Sequence, residues 1–175
     1  MGTLMAKYGA ACDNLLSAQV VTVDGKQVEA SPNSNADLFW AIRGGGGNFG
    51  VATALEYRLH QVNEVLAGAL TYPAGRLSEL LQTYAKVSAA APDEMAMISQ
   101  VLPSEQGARF RLLVSYYGQP SAGNDLLRPL RSAIKPQDDT VKVMPYLEAQ
   151  SAGSCVPPPA LAQLYWISGT KLGES

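Results

Sequence analysis

The stretch Asn35-Ala36-Asp37-Leu38-Phe39-Trp40-Ala41-Ile42-Arg43 runs directly into Gly44-Gly45-Gly46-Gly47-Asn48-Phe49-Gly50, and then into Val51-Ala52-Thr53-Ala54-Leu55-Glu56-Tyr57-Arg58-Leu59. Its opening reads as a short helix from Ala36 to about Arg43, with Asn35 placed to cap it and Leu38, Phe39, Trp40 and Ile42 as its apolar side chains. Gly44 is placed to end that helix in the left-handed conformation. After Gly50 the pattern becomes strict alternation. Val51, Thr53, Leu55, Tyr57 and Leu59 point one way, and Ala52, Ala54, Glu56 and Arg58 the other, as in a strand.

The order helix, glycines, strand decides what the run can be. Gly45, Gly47 and Gly50 match G-x-G-x-x-G, but a dinucleotide-binding turn of that kind follows a strand and opens a helix, so that phosphate meets the helix N-terminus. Here the order is reversed. A phosphate-binding P-loop is excluded as well, since no Lys-Ser/Thr follows the last glycine. Two readings stand. One is a helix end extended into a tight turn. The other is a backbone kept bare so that an anion or a flat ring can approach its N–H groups. Each glycine costs roughly 0.5–1 kcal/mol of ordering relative to alanine, and a cap needs only one.

Working outward, Leu15 to Thr22 reads as a strand, Asp24-Gly25 as a two-residue turn, and Lys26 to Ala30 as the returning strand. Beyond His60 the texture changes. Leu66 to Tyr72 predicts a strand, and Leu77, Leu80, Leu81, Tyr84 and Val87 follow helical spacing. Met95 to Leu102 and Arg109 to Tyr117 predict two further strands joined through Pro103 to Gly107. A helix is expected over Asn124 to Ala133, a strand over Val141 to Met144, a loop over Ser151 to Pro159, and no clean element from Leu161 to Ser175. The division falls between residues 62 and 63, giving domains over 1–62 and 63–175.

Composition bounds the function. The chain has 175 residues, 47% hydrophobic and 16% charged, as in a globular protein rather than a disordered tail. A net charge of -2 with no basic block makes nucleic acid an unsuitable partner. No apolar run approaches the ~20 residues of a membrane helix, and no leader pattern opens the chain, which points to a cytoplasmic location. Cys12 and Cys155 have no metal-ligand spacing and read as thiols. The single histidine, His60, reads as a solvated loop residue, Asp13 and Asn14 as turn or capping residues, and Tyr116 and Tyr117 as packing residues. Trp40 and Trp166 read as buried anchors. No nucleophile–base–orienter set can be assembled, so no catalytic residue and no metal ligand is assigned.

Several stretches together carry a resemblance. Lys7-Tyr8-Gly9, Asp13-Asn14-Leu15-Leu16-Ser17, Val20-Val21-Thr22-Val23-Asp24-Gly25 and the whole of Asn35 to Val51 resemble, in order and spacing, the FAD-binding segment of berberine-bridge-enzyme-like oxidoreductases. Met144-Pro145-Tyr146-Leu147-Glu148-Ala149-Gln150 resembles a motif of that family's substrate domain. The resemblance implies an α+β protein: the second half of a PCMH-type FAD-binding domain, then part of a substrate domain with an antiparallel sheet and flanking helices. It implies FAD as cofactor and hydride transfer to the flavin from an alcohol, sugar, amine or similar small molecule. It places Gly45, Gly46, Gly47, Asn48, Gly50, Val51 and Ala52 beside the FAD, with Ala52 smaller than the aliphatic residue common there.

In the family the loop that cradles the pyrophosphate and the histidine that links to the flavin come before the position of Gly2-Thr3-Leu4. The terminal FAD-contacting segment and the catalytic acid/base groups come after the matched stretch. The resemblance therefore implies an incomplete, internal stretch of the family fold. The expected partners are a small-molecule substrate and either a homo-oligomer or a chain carrying the missing halves. The competing expectation is a non-catalytic binding or partner subunit that keeps only the scaffold.

Overall fold

The computed structural model describes residues 2–104, 107–153 and 166–167. They form two units, residues 1–61 and residues 62–175, each with a sheet and its own apolar core.

The first unit begins with a single helical turn, α1 (Met5–Tyr8), and a 3-10 turn over Ala11–Asn14. Asp13 Oδ2 accepts the Ala10 N–H at 2.8 Å, and the Asn14 side-chain amide donates to the carbonyls of Tyr8 and Ala10 at 2.8 and 3.0 Å. Both residues thus serve as turn formers, as read from the sequence. Strand β1 (Leu15–Val21) is central, paired antiparallel with β2 (Gln27–Ala30) and with β3 (Val51–Tyr57). The connection between β1 and β2 is one residue longer than expected. Thr22 and Lys26 pair across Val23-Asp24-Gly25, with Gly25 at φ 76°. A three-residue loop with glycine in its last, left-handed position suits the strand twist. The Lys26 ammonium 2.8 Å from Asp24, and then the Thr22 hydroxyl, hold the Asp24 carboxyl below its ordinary range.

Helix α2 (Ala36–Ile42) lays Phe39 over Leu15, Ala18, Val20 and Ala30. Asn35 stands at its N-cap position, but its side chain does not cap. It is left-handed, φ 48°, and its amide donates to the Glu29 carbonyl at 2.7 Å, tying the helix start to β2. Trp40 is not a buried anchor: it is 75% exposed on the face of α2 away from the sheet.

The second unit carries a sheet in the order β7-β4-β6-β5-β9, all antiparallel. Its strands are β4 (Glu64–Pro73), β5 (Met95–Ser104), β6 (Gly107–Tyr116), β7 (Asp138–Asp139), β8 (Lys142–Pro145), which also pairs with β4, and β9 (Trp166–Ile167). Helices α3 (Leu77–Ala89) and α4 (Pro120–Ala133) cover one face. Period-two alternation puts Leu70, Tyr72, Phe110, Leu112 and Val114 on that face, all buried with Leu80, Leu127 and Leu130 of the helices. A smaller cluster, Val65, Ala67 and Met144 with Tyr146 and Ala149, seats helix α5 (Tyr146–Gly153) on β4. The fold class is α+β, as the resemblance implied.

Two helices differ from the sequence reading. Helix α4 begins at Pro120 rather than Asn124, because proline at the first helical position loses no hydrogen bond there. Pro129 lies inside α4 without ending it. Ser151 to Gly153 belong to α5 rather than to a loop, while the rest of the expected loop, 154–159, lies outside the described residues. Most of the stretch from Leu161 on, and the side chain of Trp166, lie outside them too.

Helix α4 sits tightly on the sheet at Gly123, where a Cβ would fall 2.5 Å from Tyr116 Cδ1 and 2.8 Å from Leu66 Cδ2. Both neighbours are buried, so overpacking outweighs the helix-propensity gain of about 1 kcal/mol. Gly123→Ala is expected to lower the denaturant midpoint of the second unit, by roughly 1–2 kcal/mol. A second expectation concerns pH. Burial, and then the Asp139 carboxylate, push the Tyr72 hydroxyl up to about 12 from 10.0. Between those values the unfolded chain has released this proton and the folded chain still holds it, so stability falls as pH rises, by on the order of 2 kcal/mol across the window. Tyr72→Phe, which also loses the 3.2 Å bond to the Leu130 carbonyl, is expected to flatten that alkaline slope in pH-dependent urea titrations.

Candidate functional site

The glycine run lies in the first unit, between α2 and β3. Helix α2 ends through two backbone bonds, Arg43 N–H to the Trp40 carbonyl at 3.3 Å and Gly45 N–H to the Ala41 carbonyl at 2.8 Å. Gly44 has a φ of 154°, positive as expected but toward the extended end of that range rather than in the left-handed helical well. The run then turns at Gly46, φ 78°, and reaches β1 at Gly50, φ 141°.

The glycines are bare for different reasons. A Cβ at Gly45 would meet the Ala41 carbonyl oxygen at 2.5 Å and the Phe49 ring at 2.7 Å, so Gly45 serves packing. A Cβ at Gly50 would fall on the Val21 carbonyl oxygen and 2.8 Å from Val20 Cγ1, so the strand could not pass β1 there with a side chain. Gly47 has neither constraint: open space lies in front of its Cα, and its φ is not positive.

Beside this run is a hollow of about 280 Å³ lined by Cys12, Leu15, Val20, Ile42, Gly46, Gly47, Gly50, Ala52, Leu55 and Tyr57. Two register shifts in the β1–β3 ladder shape it. Leu15 pairs with Tyr57, Ala18 with Leu55 and Val20 with Ala52, so Leu16 on β1 and Thr53 on β3 are extra residues. Such bulges turn following side chains to the other face. As a result Ala52 shares a face with Leu55 and Tyr57, which corrects the strict alternation read from the sequence. A methyl group at Ala52 helps leave the hollow open.

Of the seven residues placed beside the cofactor by resemblance, Gly46, Gly47, Gly50 and Ala52 line the hollow. Gly45 packs under the helix end, Val51 is 68% exposed, and Asn48 is exposed outside the lining. The lining has no charged side chain. Backbone N–H groups, a thiol and apolar walls could receive a flat ring or a short polar linker, and the volume is below the ~300–1,000 Å³ of a pocket for a whole ligand. Cys12, Leu55 and Tyr57 were not read as site residues. Only the bulges and the 3-10 turn bring them there, and neither leaves a mark in spacing.

His60 is not free in a loop. Its ring stacks on Tyr8, with centroids 4.1 Å apart, and its Nε2 lies 2.7 Å from Asn14 Oδ1. Both amide hydrogens of Asn14 are already given to carbonyls, so Oδ1 must accept and His60 Nε2 carries the proton. Tyr116 is core, as read, and Tyr117 meets Tyr146 edge-on near α5. Among the described residues no group of His, Cys, Asp or Glu could hold a metal ion, and no helix is long and apolar enough to cross a membrane.

No family model matches the chain. A curated relative from Aspergillus terreus, the FAD-linked oxidoreductase pgmH, is 35% identical over 120 residues, covering 69% of this chain and 22% of the relative. The crystal structure of 6-hydroxy-D-nicotine oxidase from Arthrobacter nicotinovorans superposes with a TM-score of 0.83 at 29% identity, over 90% of this chain and 36% of that one. Berberine bridge enzyme from Eschscholzia californica shares the fold, with a TM-score of 0.72 at 21% identity, over 86% of this chain and 31% of that one. The chain thus spans about a fifth to a third of the length of the proteins it matches.

The glycines separate fold from site. Gly50→Ala is expected to destabilise the first unit by at least about 1–3 kcal/mol, from a strained φ and backbone overlap. Gly47→Ala is expected to leave its thermal melt within about 0.5 kcal/mol of the parent. Circular dichroism melts of the two variants check both.

Proposed function

This chain belongs to the FAD-linked oxidoreductases of the berberine-bridge-enzyme-like group, and from that premise we propose that it supplies part of a flavin site and of a substrate domain. The observation that carries the reading is the hollow beside the glycine run, which four of the residues matching the family's cofactor stretch line. The fit is to a portion of FAD rather than to all of it. Gly46 and Gly47 offer bare backbone, Ala52 keeps the floor low, and Leu55 and Tyr57 give an apolar wall that excludes water.

FAD, when bound, supplies an acceptor for the hydride of an alcohol, sugar, amine or similar substrate carbon. The residues of this chain hold and orient that group and assign no acid or base. The pyrophosphate cradle and the catalytic acid/base groups would belong to the portion of the family fold that this chain does not span. The second unit would present its sheet to the substrate.

Amide chemical shifts of the labelled chain, followed during FAD addition, test the reading. Perturbation is expected at Gly46, Gly47, Gly50 and Ala52, and Gly47→Leu, which fills the hollow, should suppress it while the melt is preserved. Unchanged shifts at these positions, or perturbation centred elsewhere, would favour a scaffold that no longer meets a flavin.

A further inference from the structure

The 3-10 turn over Ala11–Asn14 puts Cys12 into the lining of the hollow, so whatever holds that turn sets one wall. The turn has little hold of its own. It is four residues long, and the helix before it, α1, is a single turn, too short to form alone. Its anchor lies 46 residues away in sequence, just past the end of β3. The Arg58 N–H donates to the Asn14 carbonyl at 2.8 Å, which carries the β1–β3 ladder one step beyond Leu15 and Tyr57. Two residues on, His60 stands beside the Asn14 side chain.

There three residues close a circuit. His60 Nε2–H donates to Asn14 Oδ1 at 2.7 Å, and the Asn14 amide donates to the carbonyls of Tyr8 and Ala10. The Tyr8 ring stacks back on the imidazole, with centroids 4.1 Å apart and 18° between the planes. The Asn14 side chain thereby commits its oxygen and both amide hydrogens. The carbonyls it ties down lie on either side of Gly9, whose φ of 79° bends the chain into the turn. The stack fixes where the imidazole sits, and the hydrogen bond fixes how it is rotated. Removing one member leaves another without its partner.

We propose that His60 is a positioning residue for the hollow. Through Asn14 it locks the turn carrying Cys12 against the end of β3, and so fixes the width of the space beside the glycine run. The inference rests on reading that hollow as part of a flavin site, and it gives His60 no contact with the cofactor. A flat ring gains most from a wall that already stands at the right distance, because ordering the wall on binding weakens affinity. Leu15 and Tyr57, the pair at which the ladder meets the turn, line the hollow with Cys12, so slack at Asn14 is felt there first.

The intact chain carrying Cys155→Ser, which leaves Cys12 as its one thiol, tests this. His60→Phe keeps a ring on Tyr8 but has no N–H for Asn14, whereas His60→Gln loses the ring and returns an N–H at a similar reach. Labelling of the half-buried Cys12 by an aromatic disulfide is expected to run roughly fivefold faster in His60→Phe, and near the parental rate in His60→Gln. Amide shifts of Val28 and Ala30 on β2 should stay in place in both variants, which separates a slackened wall from a lost fold. In FAD titrations, His60→Phe should need roughly fivefold more cofactor to perturb Gly46 and Gly47, and His60→Gln no more than the parent. Equal labelling rates in the parent and His60→Phe, or a rate raised alike in both variants, would overturn the inference. FAD that perturbs nothing in the parent's hollow would overturn the flavin reading instead, and the labelling rates would still decide the role of His60.

Discussion

Gly50 running against Val21 is the contact on which the first unit's architecture rests. Because no Cβ intervenes, the chain leaving the glycine run enters the sheet directly beside the end of β1. From there β3 follows β1 to Leu15, and the hollow is the space left between that strand, the end of α2 and the 3-10 turn that carries Cys12. A side chain at residue 50 would push the strand away and open the hollow on one side. The glycine run is thus first a structural device, with room for a ligand as its by-product at Gly47.

The two units are built on the same economy, an antiparallel sheet with helices gathered on one face, but they end with different surfaces. In the second unit, α3 and α4 bury a continuous apolar face, and α5 covers part of the other. In the first, α2 covers β1 and reaches β2, and among the described residues nothing covers either face of β3 or its outer edge. A strand of that composition has lost less water than its apolar residues favour.

Most of the secondary structure was legible because local chemistry and tertiary demand agree. Leu77, Leu80, Tyr84 and Val87 have one possible period, and the strands over 66–72, 95–102 and 109–117 appear with no end moved by more than two residues. The misses share a cause. Helix α5 follows a strand without a break in composition, and its polar and apolar residues are evenly mixed, so neither period stands out. Trp40 looked like an anchor because tryptophan favours burial, yet only its position around the helix decides which way it faces, and Phe39 occupies the buried one.

The sequence by itself determined the order helix, glycine run, strand, the α+β class and the family, because each rests on residue identity at fixed spacing along the chain. It did not determine which residues meet around the glycines. The extra residues at Leu16 and Thr53 bring Ala52, Leu55 and Tyr57 to one face, and the turn over Ala11–Asn14 sets Cys12 opposite them. A bulge is a relation between two strands, fixed by how their ladders must shift for both apolar sets to stay covered. A single strand read alone carries no trace of it, so only the tertiary structure could decide the site.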